Sequence, residues 1–98
     1  MAAFCYIIYS EKLNRYYIGA TQESLEQRLE KHNLHVYGQH RFTTGASDWV
    51  LFLKIEAIDY SHAIRIERKI KSMKSRTYIL NLKNYIELRQ KLYEITST

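Results

Sequence analysis

Proline is absent from this chain, and with it any proline-rich linker or extended low-complexity spacer. Cysteine occurs once, as Cys5, so no internal disulfide can staple the fold. No paired CxxC half-sites exist to hold a structural zinc, and stability must come from a hydrophobic core. Long apolar runs are also missing: nothing approaches the roughly 18 residues of a membrane span. The start, Met1-Ala2-Ala3-Phe4-Cys5, lacks a basic region followed by a long apolar stretch, so a cytoplasmic protein is the default expectation. What remains is ordinary globular material, 46% hydrophobic and 26% charged, which excludes wholesale disorder. At 98 residues the chain has material for one domain, expected to span 1–98.

Charge is plentiful and unevenly spread. Fifteen Lys and Arg face ten Asp and Glu, for a net charge of +5. Arg65, Arg68, Lys69, Lys71, Lys74 and Arg76 share one short window with a single acid, Glu67, and the other cations are balanced by acids elsewhere. The whole excess therefore sits in one segment. Such a stripe suits a polyanion, nucleic acid above all, although a solvated helix face can be equally rich in lysine.

Hydrophobic patterning predicts an α+β fold in the order ββαβαα, a small three-stranded antiparallel sheet flanked by helices. FCYIIY (4–9) and RYYIG (15–19) read as a β-hairpin around a polar connection. Ser24 with Gln27 has the form of a capping box, and Leu25, Leu29, His32 and Val36 follow on one helical face that stops near Gly38. Residues 37–48 are polar and aperiodic, a long functional loop. WVLFLKIEA (49–57) reads as the third strand. Asp59 or Ser61 then caps a helix whose buried stripe is Ala63, Ile66, Ile70 and Met73. TYILNLK is expected to be a short connection. Asn84 with Glu87 resembles a capping box for a last helix with Tyr85, Leu88, Leu92 and Ile95 inward.

Several polar residues fall where apolar ones would serve. The hairpin carries Tyr6, Tyr9, Tyr16 and Tyr17, and a four-residue connection is expected to set Tyr6 opposite Tyr17 with their hydroxyls together. Packing for area is the alternative reason for these tyrosines. Arg28 and His32 are one turn apart on the first helix. They could offer a fixed cation for phosphate and a group suited to proton transfer near neutrality, or His32 could be a satisfied core histidine. Glu67 lies at the margin of the second helix's buried stripe. It could pair with Lys71, or hold Mg²⁺, which is commonly bound by one carboxylate together with substrate phosphates and water.

Taken in order, Cys5-Tyr6-Ile7 and Tyr17-Ile18-Gly19 resemble the two-part signature of the GIY-YIG nucleases. Arg28 matches that family's helix arginine, His32 its residue one turn on, Glu67 its glutamate and Asn81 its late asparagine. The likeness runs from about residue 4 to residue 82, and the length resembles that of the small stand-alone members related to the nuclease domain of UvrC-type DNA repair proteins and to the module of some homing endonucleases. The likeness implies an endonuclease hydrolysing DNA phosphodiesters with one Mg²⁺ or Mn²⁺, structure-selective or weakly sequence-specific. By the same resemblance Glu67 holds the metal and Arg28 stabilises developing charge. Tyr6, with His32 and Tyr17, orients or deprotonates the attacking water, the base lying between Tyr6 and His32. Asn81 ties the last segment to the site, and is preferred to Asn84, which explains itself as a cap. His40, Arg41, Arg68, Lys69, Lys71, Lys74 and Arg76 are the expected DNA contacts. Two departures stand out. Cys5 stands where many members have isoleucine after glycine, so no glycine precedes the first tyrosine, and Ala20-Thr21 follow Gly19 where the repair branch has a lysine. Neither removes a matched catalytic side chain, and Cys5, alternating away from Tyr6, reads as a small core residue. A non-catalytic nucleic-acid-binding module and a protein-interaction domain with an acidic partner are the competing functions.

Overall fold

The computed structural model describes residues 2–34 and 45–97. Three strands, β1 (Ala3–Ser10), β2 (Arg15–Thr21) and β3 (Val50–Ala57), form an antiparallel sheet in the order β2-β1-β3. The helices are α1 (Leu25–Asn33), α2 (Tyr60–Met73), α3 (Arg76–Asn84) and α4 (Ile86–Thr96). The continuous apolar run of β1 follows from its place: a central strand with both faces covered has no solvent side on which to alternate.

The two faces of the sheet are unequal. Ala3, Cys5 and Ile7 of β1 join Ala20, Ile55 and Ala57 in the larger core, which α2 closes with Ala63, Ile66 and Ile70, α3 with Ile79 and Leu82, and α4 with Leu92. On the opposite face Tyr6 and Ile8 pack with Ala46 and Trp49, flanked by Tyr17 and by Leu25 and Leu29 of α1. A bulge between Ile7 and Ile8, paired with Leu53 and Leu51, gives β3 one extra residue, Phe52. That residue joins Leu53 against the larger core, where strict alternation would have sent it to the other face.

The caps fall where the sequence placed them at the first two helices. Ser24 accepts from the Gln27 N–H, and Asp59 from the His62 N–H. Four expectations are corrected. The stretch expected as a short connection is the helix α3, capped by Ser75, whose hydroxyl accepts from the Tyr78 N–H. Its apolar residues are β-branched or aromatic in part, which hides a nine-residue helix that owes its existence to burying Ile79 and Leu82. Asn84 therefore ends α3 and caps nothing, while α4 starts at Ile86 after Tyr85, whose side chain makes no capping hydrogen bond. The inward face of α4 is Leu92 with half-buried Leu88, whereas Tyr85 and Ile95 are 56% and 53% exposed, as is Met73 of α2 at 42%. Finally, Tyr6 lies opposite Gly19 and Tyr17 opposite Ile8, because the four-residue turn 11–14 pairs Tyr9 with Tyr16. Val36 and most of the expected loop, residues 37–44, lie outside the described residues.

Candidate active site

Register decides what Tyr6 can reach. Its ring lies across Gly19: a Cβ built there would stand 2.5 Å from Tyr6 Oη and 2.6 Å from Cζ. Only glycine allows that approach. With the ring laid over β2, the hydroxyl meets α1, where Arg28 and His32 project from consecutive turns. Arg28 Nε donates to Tyr6 Oη at 3.2 Å, and His32 Nε2 lies 2.8 Å from the same oxygen. Tyr6 and His32 are 1% and 2% exposed, so the phenol and the imidazole meet away from bulk water. Tyr17 completes the cluster, its ring 4.9 Å from that of His32 and 6.4 Å from that of Tyr6.

The acid arrives from the other side of the sheet. Glu67 projects from α2, the helix packed along β1 and β2, and its side chain is 18% exposed. Lys71 connects the two groups: its Nζ is 3.5 Å from Glu67 Oε1 and 6.0 Å from the Tyr17 ring centre. The nearness of Glu67 to the sheet shows on Cys5. Burial pushes this thiol well above the usual range and the Glu67 charge adds to the effect, against a smaller opposing pull from Lys71. Cys5, 1% exposed in the larger core, is thus a protonated filler and no nucleophile.

A single, partly exposed carboxylate, Glu67, matches the needs of a partly hydrated Mg²⁺ or Mn²⁺, hard ions that accept a single protein oxygen when phosphate supplies others. Among the described residues no group of three or more His, Cys, Asp or Glu side chains is gathered for a metal, so an all-protein cage is not what this site offers. The Lys71 ammonium now occupies the carboxylate, and a cation there would replace it.

The remaining expected site residues separate into three groups. Arg68, Lys69 and Lys71 lie exposed on α2, Lys74 caps that helix in the left-handed region at φ 48°, and Arg76 opens α3. Asn81 is half-buried on α3, where its carbonyl accepts from the Tyr85 N–H; its described contacts do not join it to the tyrosine cluster. His40 and Arg41 lie outside the described residues. Sequence reasoning overlooked Asn33. Its side chain accepts from Trp49 N (2.8 Å) and donates to Trp49 O (3.1 Å), pinning the end of α1 to the start of β3 beside buried Trp49. A polar residue directly after His32 was the only hint. His62 is also functional in an architectural sense: Ile58 N donates to its Nδ1, which leaves Nε2–H for Tyr93 O and Thr96 Oγ1.

Among the described residues no helix is long and apolar enough to cross a membrane. Comparison with curated proteins and with solved structures found no match. The model of the GIY-YIG catalytic domain does match, over residues 2–84, a span that includes Tyr6, Gly19, Arg28, His32 and Glu67. The chain therefore belongs to the GIY-YIG family, and its general function is that of a nuclease.

Proposed function

We propose that the protein is an active, divalent-metal-dependent endonuclease that hydrolyses phosphodiester bonds in DNA, structure-selectively or with weak sequence preference. One observation carries this: Tyr6 Oη is held between the Arg28 guanidinium and the His32 imidazole, beside Tyr17, whose ring is approached by Lys71, the ion-pair partner of Glu67. A module that only bound DNA would gain nothing from burying a phenol between an arginine and a histidine.

Glu67 is the residue that would hold Mg²⁺ or Mn²⁺, which when bound polarises the scissile phosphate and shares its charge. Arg28 donates toward the Tyr6 oxygen and keeps negative charge favourable there and on the phosphate. Tyr6 and His32 form a two-step proton path: the phenol proton passes to Nε2, and the phenolate oxygen, steadied by Arg28, takes the proton of the attacking water. The choice between Tyr6 and His32 as base thus becomes a relay in which Tyr6 touches the water. Tyr17 walls the cleft and keeps the imidazole in place through ring contact. Asn81 acts at a distance, by closing α3. Arg68, Lys69, Lys71, Lys74 and Arg76, with His40 and Arg41 from the sequence, supply the phosphate contacts.

The test is cleavage of labelled branched, flapped, single-stranded and duplex DNA with Mg²⁺ or Mn²⁺, comparing the wild type with Glu67→Ala. Cutting that requires metal and falls at least a thousandfold in the variant is expected, since the metal and its ligand act as one unit. No cutting of any substrate, with salt-sensitive binding unchanged by Glu67→Ala, would overturn the proposal in favour of a binding module.

A further inference from the structure

Beside Tyr16, the neighbour of Tyr17 in β2, a cleft of about 370 Å³ opens between the β1–β2 turn and the junction of α2 with α3. Arg15, Lys74 and Arg76 line it, with Asn14, Tyr16 and Ser75. No carboxylate lines it, and among the described residues neither Lys74 nor Arg76 forms an ion pair. The cleft thus gathers positive charge from two distant parts of the chain, with Lys74 and Arg76 available to a shared anion.

The cleft is built, not accidental. The Arg76 guanidinium is fixed at two points: Nη2 donates to Asn14 Oδ1 at 2.9 Å, and Cζ lies over the Tyr16 ring, 5.2 Å from its centre. Asn14 is in turn held by the Tyr9 hydroxyl, which donates to the same Oδ1 at 2.6 Å. Tyr9 and Tyr16 are in ring contact at 4.8 Å. Both residues of the described chain that hold a positive φ without being glycine, Asn14 (51°) and Lys74 (48°), line this one cleft. Asparagine tolerates that region, but lysine at a helix end, where glycine is the comfortable choice, costs conformational energy and gains a charge facing the cleft.

We propose that this cleft is a second phosphate-binding site, which grips the backbone of the cut strand to one side of the scissile bond. The proposal rests on the nuclease reading of the neighbouring site and extends it. The two sites share a border, since Tyr16 and Tyr17 are consecutive and Lys71 stands at the Tyr17 ring, three residues before Lys74. From Glu67 to Lys74 α2 advances about 10 Å at 1.5 Å per residue. At about 3.4 Å of rise per nucleotide that is roughly three nucleotides of one strand. The strand would enter along the outer edge of β2, its phosphates passing from Glu67 and Lys71 to Lys74, Arg76 and Arg15. Arg76, already oriented by Asn14 and Tyr16, loses little freedom in making that contact.

The experiment is the salt dependence of binding, read by fluorescence anisotropy on labelled single strands and flaps, in a Glu67→Gln background so that nothing is cut. Lys74→Gln and Arg76→Gln are each added to it, with Lys91→Gln on exposed α4 as a charge control. Each cleft variant is expected to weaken binding several-fold and to lower the slope of log K against log salt by about 0.7 to 0.9, one phosphate contact. The loss should vanish on strands trimmed back on one side and persist on strands trimmed on the other. Lys91→Gln should leave the slope as it was. Slopes unchanged by both cleft variants, or losses indifferent to which side is trimmed, would overturn the proposal. Because this arm needs no cleavage, it separates the two claims. An inert wild type with the expected slopes removes the nuclease reading and keeps the cleft, whereas metal-dependent cutting with unaltered slopes removes the cleft alone. Arg76→Gln also releases Asn14, so Lys74→Gln, whose side chain makes no described contact, decides if the first fails to fold.

Discussion

Gly19 shows at the scale of one residue how a signature position becomes chemistry. Its lack of a side chain is what lets the Tyr6 ring cross β2 and deliver the hydroxyl to Arg28 and His32. In Gly19→Ala the new methyl would meet Oη at 2.5 Å, and the buried ring, packed in one cluster with Ile8 and Trp49, must shift against close-packed neighbours. A displacement of about 1 Å at a reacting group costs on the order of a hundredfold in rate. Gly19→Ala is therefore expected to lower kcat by about that factor while circular dichroism still reports a folded chain. Full activity in that variant would show that Tyr6 need not sit where it does. The side chains of this cluster were legible in the sequence, because tyrosine, arginine and histidine in apolar positions stand out. Their mutual geometry was not: the residue expected opposite Tyr6 was Tyr17, and the pairing with Gly19 depends on turn geometry that a hydrophobic pattern does not encode. The same limit hid Asn33, a polar residue at a helix end whose partner is backbone sixteen positions away.

Among the elements, the first hairpin must hold its register for any of this to stand, and it is tied down by Asp48. The Asp48 carboxylate accepts from Ser10 Oγ at 2.6 Å and from Lys12 N at 2.9 Å, joining the β1–β2 turn to the chain leading into β3. The Ser10 hydrogen bond first, and then that of Lys12, hold this carboxyl below the usual aspartate range. A depressed folded-state value means stability that is present above the ordinary aspartate pKa near 3.8 and is lost as pH falls through the folded value. Asp48→Asn is accordingly expected to be less stable than the wild type at pH 7, yet to lose less between pH 5 and pH 2. Urea midpoints at those pH values measure it, and parallel pH profiles for the two proteins would contradict it. Helices with strong caps and clear periodicity, α1 and α2, were visible in the sequence. The helix α3 was not, since nine residues with mixed propensity form a helix only when the rest of the fold offers Ile79 and Leu82 a place to be buried.

For the whole molecule, the sheet is a partition with the chemistry on its thinner side, and the rigidity of that side depends on the thicker one. Four of the five matched cleft residues, Tyr6, Tyr17, Arg28 and His32, belong to the β-hairpin and α1, but β1 is central and its other face is the floor of the core closed by α2, α3 and α4. The helix α4 lies beyond the matched residues 2–84 and touches nothing in the tyrosine cluster among the described contacts. It is nonetheless bolted to α2 three times: Leu92 is buried in the core, His62 binds Tyr93 O and Thr96 Oγ1, and Arg65 Nε donates to Thr96 O at 2.6 Å. Arg65 thus leaves the set of cations available to nucleic acid, a division of labour that the charge count of its segment could not show. Leu92→Ala removes only the first of these bolts, at a cost of about 2 to 5 kcal/mol. Against a total stability of about 5 to 15 kcal/mol that is a large fraction. At roughly 4 to 8 °C per kcal/mol for a domain of this size, Tm is expected to fall by at least about 8 °C. Since no reacting group moves, activity per folded molecule should stay near that of the wild type when both are assayed well below the variant's Tm. A variant that unfolds as late as the wild type would mean that α4 merely leans on the core, whereas early unfolding with intact specific activity makes the helix a structural addition that holds the sheet, and through it Tyr6, in register.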